Sequence, residues 1–330
     1  MKGVMMADVT ADDTRLFDRA ASLVGGSAQR DVPLAPFITY RVGGNAAVLV
    51  RPTSFADLAA VAAARETTGL PVLAVGRGSN MLVADRGFAG LAVTLADLPA
   101  VGAAGEMIGH VEDTSHGVVV TVSGAASLPS LARRLASSGI VGFEWAVGIP
   151  GSIGGAVKMN AGGHGSDMAA VLVDATVVSI ASGAGALVVA RDDLGLAFRS
   201  SGVGDDDLVV SVRLALRRGE PAPALEQISE IVRWRREHQP GGQNCGSVFV
   251  NPVPGEVSAG SLIDAIGLRG TRIGDAWVSE KHANFIQAAP NARSADVLAV
   301  IEHVRAAVAA ETGYVLRSEV RLVGFGEDGR

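Results

Sequence analysis

Hydrophobic and polar positions change their period repeatedly along the chain, and the changes mark out its elements. Thr53-Ser54 opens the segment SFADLAAVAAARETTG, whose apolar residues recur at helical spacing and which stops at Gly69 and Pro71. The short apolar run Val72 to Val75 predicts a buried strand that opens into a glycine-rich turn. Gly117 to Ser123 reads as a strand, and Ser127 to Gly139 as a capped helix carrying Arg133 and Arg134. Val171 to Ile180 and Leu208 to Leu216 again read as strands, the second with alternating character. The texture changes near Pro221-Ala-Pro223. ALEQISEIVRWRREHQ is a charged amphipathic helix, followed by a glycine-rich stretch and a short helix at Gly260 to Ile266. A strand at Asn284 to Ala288, a helix at Ser294 to Thr312 and a last strand at Tyr314 to Val323 complete an α+β pattern with a break near 219. No fixed-period repeat is present.

Composition adds one anomaly to this picture. Of 330 residues, 42 are glycine, about 13% against a usual share of roughly 7%. Proline is only 13 residues and no G-X-Y period exists, so collagen-like or low-complexity sequence is excluded. Apolar residues make up 48%, far too many for a disordered chain, and the length suffices for a sizeable core. The net charge of −6 argues against a general nucleic-acid partner, while leaving room for a locally basic pocket. The single cysteine, Cys245, excludes an internal disulfide, and without a close His pair no metal site is expected. The opening MKGVMMADVTADDTRLFDRA lacks a signal-peptide core, and no run of about 18 apolar residues occurs. A cytoplasmic protein without membrane or nucleic-acid partners is the expectation.

Sixteen of the glycines gather in four loops. Two lie in 41–45, four in 76–90, seven in 148–165 and three in 241–246. The first loop is Tyr40-Arg41-Val42-Gly43-Gly44-Asn45, and the second, Gly76-Arg77-Gly78-Ser79-Asn80, directly follows a predicted strand. The third is Gly148-Ile149-Pro150-Gly151-Ser152-Ile153-Gly154-Gly155, continuing to Asn160-Ala161. Glycines after a strand let backbone N–H groups close on phosphate oxygens, and Ser79, Asn80 and Ser152 add side-chain donors. One such loop is usually just a tight turn; three with polar donors favour a bound pyrophosphate. The pattern is neither a Rossmann fingerprint, since Met81 stands where the third glycine belongs, nor a P-loop, since no Gly-Lys-Ser/Thr follows.

Together, VGRGSNMLVADRGFAG, GFEWAVGIPGSIGGAVKMNAGG, NCGSVFVNP and SEKHANF resemble the UDP-N-acetylenolpyruvoylglucosamine reductase (UDP-N-acetylmuramate dehydrogenase, MurB) family, in order from about Val32 to Val323. The resemblance implies a vanillyl-alcohol-oxidase/PCMH-type FAD-binding domain of two α+β subdomains and a smaller C-terminal α/β substrate domain. The corresponding division is an N-terminal helical extension over 1–30, an FAD-binding domain over 31–218 (subdomains about 31–96 and 97–218) and a substrate domain over 219–330. It implies that NADPH reduces FAD and that the flavin hydride then reduces UDP-N-acetylglucosamine enolpyruvate to UDP-N-acetylmuramate, in peptidoglycan precursor synthesis. A monomer is expected.

The family's functional positions fall on particular residues. Ser247 matches the proton donor, Arg199 the arginine that binds the substrate carboxylate, and Glu319 the acidic partner. The cofactor positions implied are Tyr40, Arg41, Gly43, Gly44, Gly76, Arg77, Gly78, Ser79, Asn80, Gly148, Ile149, Pro150, Gly151, Ser152, Gly154, Gly155, Asn160 and Ala161. Asn251 and Lys281 are the implied substrate contacts. Without the resemblance, Arg199 reads equally as a salt bridge to Asp192 or Asp193, Glu319 as a carboxylate paired with Arg317 or Arg321, and Ser247 as a turn serine. Cys245 is read as packing, and His282 as structural or as a substrate contact. The spacing favours the shorter branch of the family, which lacks a tyrosine-bearing insertion. Phe198 replaces a tyrosine and His164 replaces another. Val250 stands where the family often has a basic residue, moving that charge to Arg235, Arg269 or Lys281. Two other readings stay open: a related flavin oxidase, disfavoured by the lack of a histidine in 76–80, and a non-catalytic flavin or nucleotide-sugar binder, which only Val250 favours.

Overall fold

The computed structural model describes residues 10–183 and 185–326. The first nine positions of the expected extension over 1–30, and the last four of the expected domain over 219–330, lie outside them. The fold is α+β. A four-stranded mixed sheet runs in the order Ala28–Pro33, Asn45–Val50, Phe88–Val93, Val72–Ala74. A larger sheet, antiparallel throughout, runs Ala186–Ala190, Leu172–Ser179, Asp207–Arg218, Gly117–Ser123, Ile108–Thr114, with Ile140–Val141 added at the far end of the long strand. A small three-stranded sheet holds Arg272–Ile273, Ala276–Val278 and Ile286–Ala288.

Side-chain chemistry sets some helix ends but not all: Ser127, expected to cap the helix Leu128–Ser137, makes no side-chain hydrogen bond to it. Ser54 caps Phe55–Thr68 by accepting from Asp57 N–H, and Gly69 ends it in the left-handed conformation. Such a cap contributes about 1 kcal/mol. Ser294–Thr312 is closed by Gly313 at φ +76°. Pro221 and Pro223 do not precede the charged helix but form its first turn, where a missing N–H costs nothing, so the helix spans Pro221–His238. Within 1–30 the described chain contains helix Ala11–Val24 and then enters strand Ala28–Pro33, an edge strand antiparallel to Asn45–Val50.

Three apolar cores result, and they cut across the sequence division. Helix Pro221–His238 buries Ala224, Ile228 and Ile231 in the core of the large sheet. A second core mixes Leu34, Ile38, Tyr40, Leu73 and Leu82 with Val248, Phe249, Ile301 and Val323. The third packs helices Ala11–Val24 and Phe55–Thr68 on the four-stranded sheet, and reaches Val178 and Leu208 of the large one.

The last predicted strand is much shorter than its apolar pattern suggested. Only Arg321–Val323 forms a ladder, parallel to Met81–Val83. The chain changes partners just before it. Val250 N–H donates to Arg317 O at 2.9 Å and Glu319 N–H to Val248 O at 2.8 Å, after which Arg321 N–H donates to Asn80 O at 3.0 Å. One stretch therefore serves two partners and cannot be one straight strand. Among the described residues, no helix is long and apolar enough to cross a membrane, and no cluster of three His, Cys, Asp or Glu is arranged to hold a metal ion.

Candidate active site

The second and third glycine loops face each other across a cavity of about 290 Å³. A Cβ on Gly76 would sit 2.5 Å from Ser152 Oγ, and one on Gly151 would sit 2.9 Å from Ser79 Oγ, so each loop seats a serine side chain against a glycine of the other. Gly78, at φ +55°, turns the loop over residues 37–39, where Thr39 N–H donates to Gly78 O at 3.2 Å. Gly76, Arg77, Gly78, Ser79, Asn80, Gly148, Ile149, Pro150, Gly151, Ser152, Gly155 and Ala161 all line the cavity. Ser152 is buried and accepts from Gly155 N–H at 3.3 Å.

The first glycine loop lies underneath instead. Tyr40, Arg41, Gly43 and Gly44 are not among the cavity-lining residues. Gly43 and Gly44 back onto the carbonyls of Val83 and Asp85, and Arg41 donates to Pro36 O at 3.0 Å. This loop props up the 76–85 segment. Sequence could not separate the two roles, because close backbone approach demands glycine in either case.

Arg199, Ser247 and Glu319 line the same cavity. Arg199 sits at φ +57° in a tight turn closed by Ala197 and Ser200, and its guanidinium donates to Gly162 O at 3.1 Å. Its Nε lies 3.3 Å from Glu319 Oε2. That approach is an ion pair without hydrogen-bond alignment, and among the described residues Nε has no other partner. Burial pushes the Glu319 carboxyl up from its ordinary range, with Arg199 and then Arg317 pulling against it. Arg199 thus pairs with Glu319 and not with Asp192 or Asp193; Asp192 pairs with Arg191 at 2.9 Å. Ser247 is exposed to the cavity at the head of a segment held on both sides. Val248 N–H donates to Asn284 O at 2.9 Å, and Val248 O accepts from Glu319. Burial drives the Cys245 thiol up to about 12 and the Tyr40 hydroxyl well above its usual value; the two side chains meet in the core.

A UDP-N-acetylenolpyruvoylglucosamine reductase of Chloroflexus aggregans is 40% identical over 297 residues, covering 88% of this chain and 96% of its own. The chain belongs to the UDP-N-acetylenolpyruvoylglucosamine reductase family. It is accordingly an oxidoreductase of peptidoglycan precursor synthesis. The same enzyme of Synechococcus elongatus is 40% identical over 303 residues, covering 91% and 96%. Residues 238–323 match the family model described as UDP-N-acetylenolpyruvoylglucosamine reductase, C-terminal domain, and residues 46–185 match an FAD binding domain. The crystal structure of UDP-N-acetylenolpyruvylglucosamine reductase (MurB) from Thermus caldophilus superposes with a TM-score of 0.72 at 31% identity, covering 89% of this chain and 98% of that one.

The residues present fit a dinucleotide. The opposed loops leave no room for a Cβ and offer Arg77, Ser79, Asn80 and Ser152 as donors. An adjoining cavity of about 150 Å³ shares Gly76, Arg77, Ser152 and Gly155, and extends between Thr94, Leu95, Ala125 and Val209; Gly154 lines this one. Sequence reading missed that second wall, which carries no glycine motif beyond Gly124.

Other placements differ from the expected list. Asn160 is buried behind the cavity wall and donates to Ala197 O at 3.1 Å. Asn251 accepts from Ala259 N–H at 3.1 Å, and Lys281 Nζ donates to Arg236 O; neither lines the cavity. His282 Nδ1 accepts from Asn284 N–H at 3.2 Å, a structural contact. Of the three candidates for the charge absent at Val250, only Arg235 lines the cavity, whereas Arg269 is tied to Asp264 at 2.5 Å. Burial holds the Arg235 guanidinium below its ordinary value. Lys158, Gln239 and Arg321 also line the cavity and were missed. Lys158 and Arg321 both reach Asp205, at 2.9 and 3.1 Å. The period-2 rule could have found Arg321, two positions beyond Glu319 on the expected strand.

Proposed function

We propose that this chain reduces UDP-N-acetylglucosamine enolpyruvate to UDP-N-acetylmuramate with NADPH as reductant and Ser247 as proton donor, acting as a cytoplasmic monomer. The observation that supports this reading is the meeting of Arg199, Ser247 and Glu319 on the cavity walled by the opposed glycine loops. FAD, held by the 76–80 and 148–155 loops, supplies hydride chemistry when bound. Arg199 binds the substrate carboxylate and offsets the negative charge that develops beside it. Glu319, whose carboxyl burial shifts toward protonation against the pull of Arg199 and Arg317, hydrogen-bonds that developing charge when it carries a proton. Ser247 delivers its hydroxyl proton to the carbon bearing the carboxylate; a carbanion is basic enough to take it. Arg235 and Gln239 line the remaining wall and are offered to the anionic nucleotide sugar.

The test is Ser247→Ala. The purified variant should still be bleached by NADPH and should fail to recover its flavin absorbance on addition of the enolpyruvyl nucleotide sugar. Full turnover would remove Ser247 from the proposal.

A further inference from the structure

Three asparagines hold backbone at or two positions from the three residues just assigned to chemistry, each from a remote stretch of chain. Asn284, only 4% exposed, accepts from Phe249 N–H at 2.9 Å and donates to Phe249 O at 2.8 Å. Its side chain thus satisfies both polar groups of one backbone residue, as a neighbouring strand would, two positions beyond Ser247. Asn160, 7% exposed and at φ +37°, donates to Ala197 O at 3.1 Å and accepts from Ala169 N–H at 3.0 Å. Ala197 closes the tight turn that carries Arg199. Asn80 donates to Glu319 O at 2.8 Å while its own carbonyl accepts from Arg321 N–H.

We propose that Asn80, Asn160 and Asn284 are positioning residues for Glu319, Arg199 and Ser247, fixing the backbone from which each acts. The inference rests on the roles given to those three residues above. An amide is the side chain that fits, because at Asn160 and Asn284 a donor and an acceptor are both needed from one planar group. An aspartate would set an oxygen against a carbonyl, and a leucine would leave buried polar groups unpaired. Displacement of a reacting group by about 1 Å can cost on the order of a hundredfold in rate, so the bracing matters to turnover.

The test uses the holoenzyme carrying Asn284→Asp. Its reduction by NADPH should stay within about twofold of the parent, while reoxidation by the enolpyruvyl nucleotide sugar should slow by at least about tenfold. The loss should recover as the pH is lowered and the introduced carboxyl takes up a proton it can donate to Phe249 O. A general structural defect would not produce that recovery. Amide hydrogen exchange at Val248 and Phe249 should rise in parallel. Asn284→Ser carries the same half-reaction and hydrogen-exchange tests if Asn284→Asp fails to fold with flavin. Equal losses in both half-reactions without recovery at low pH, or no loss in either, would overturn the proposal. Ser247→Ala assayed alongside separates the two readings. If it turns over normally, the proton-donor role fails. If it is blocked while both asparagine variants behave as the parent, the positioning role fails.

Discussion

Asp85 caps a helix that begins 209 positions later, its carboxylate accepting from Ser294 N–H at 2.8 Å and from Ala295 N–H at 3.2 Å. A negative charge at that end of the 19-residue helix Ser294–Thr312 also complements the helix dipole. Asp85→Ala should therefore lower the unfolding free energy by about 1–2 kcal/mol, and Asp85→Asn by less, since an amide oxygen still accepts. Equilibrium denaturation of the three proteins decides this; identical midpoints would show that the cap contributes nothing.

Glu319 makes stability depend on pH in a direction opposite to that of an ordinary paired carboxylate. Its folded pKa lies above the usual carboxylate value because burial outweighs the attraction of Arg199 and Arg317. Its favourable contribution is present in full below about pH 4.5 and is lost as pH rises through the folded value. Glu319→Gln cannot ionise. The stability of that variant relative to the parent should rise between pH 4 and pH 8, read from urea midpoints. A flat difference would mean that the two arginines cancel burial.

Gly78 and Gly25 both have positive φ, but only one is crowded. A Cβ on Gly78 would lie 2.3 Å from Phe37 O, whereas around Gly25 there is open space. Gly25→Ala should cost roughly 1 kcal/mol from backbone strain alone, while Gly78→Ala adds a backbone clash and should cost about 3 kcal/mol or more. Flavin absorbance should be retained by the first variant and reduced in the second. Thermal melts that rank the two the other way would sink the comparison.

Cys245 should resist alkylation. Its thiol is buried and pushed up to about 12, so almost no thiolate exists at pH 8. Iodoacetamide should label the protein in guanidinium and leave it untouched when folded. Labelling of the folded protein at the rate of a free thiol would contradict the burial.

Helix C-termini and buried strands were legible from sequence where local chemistry sets them. Gly69 and Gly313 close two helices in the left-handed conformation, and Gly117–Ser123 matches its apolar run residue for residue. The partner change within Tyr314–Val323 was not legible, because Arg317 and Glu319 look outward to 248–250 and Arg321 to Asn80, with nothing in the local pattern to mark the switch. The site was half legible. Its glycine loops announce themselves, yet nothing in the composition of YRVGGN says that its glycines pack against 83–87 and do not line the cavity. Asn284 carries no periodic signal at all, since its partners are backbone atoms 35 positions away. Arg199, Ser247 and Glu319 lie on three separate segments, and only long-range pairing brings them to one cavity.

The parallel pairing of Arg321–Val323 with Met81–Val83 also orders events in time. Translation delivers both glycine loops, the large sheet and the Ser247 segment well before Glu319 leaves the ribosome. Until residues 319–323 emerge, Asn80 lacks the carbonyl it holds, and Arg199 lacks its carboxylate partner. The second apolar core also lacks Val320 and Val323. A nascent chain thus completes this wall of the cavity only after residues 319–323 have emerged, however early its glycine loops have formed.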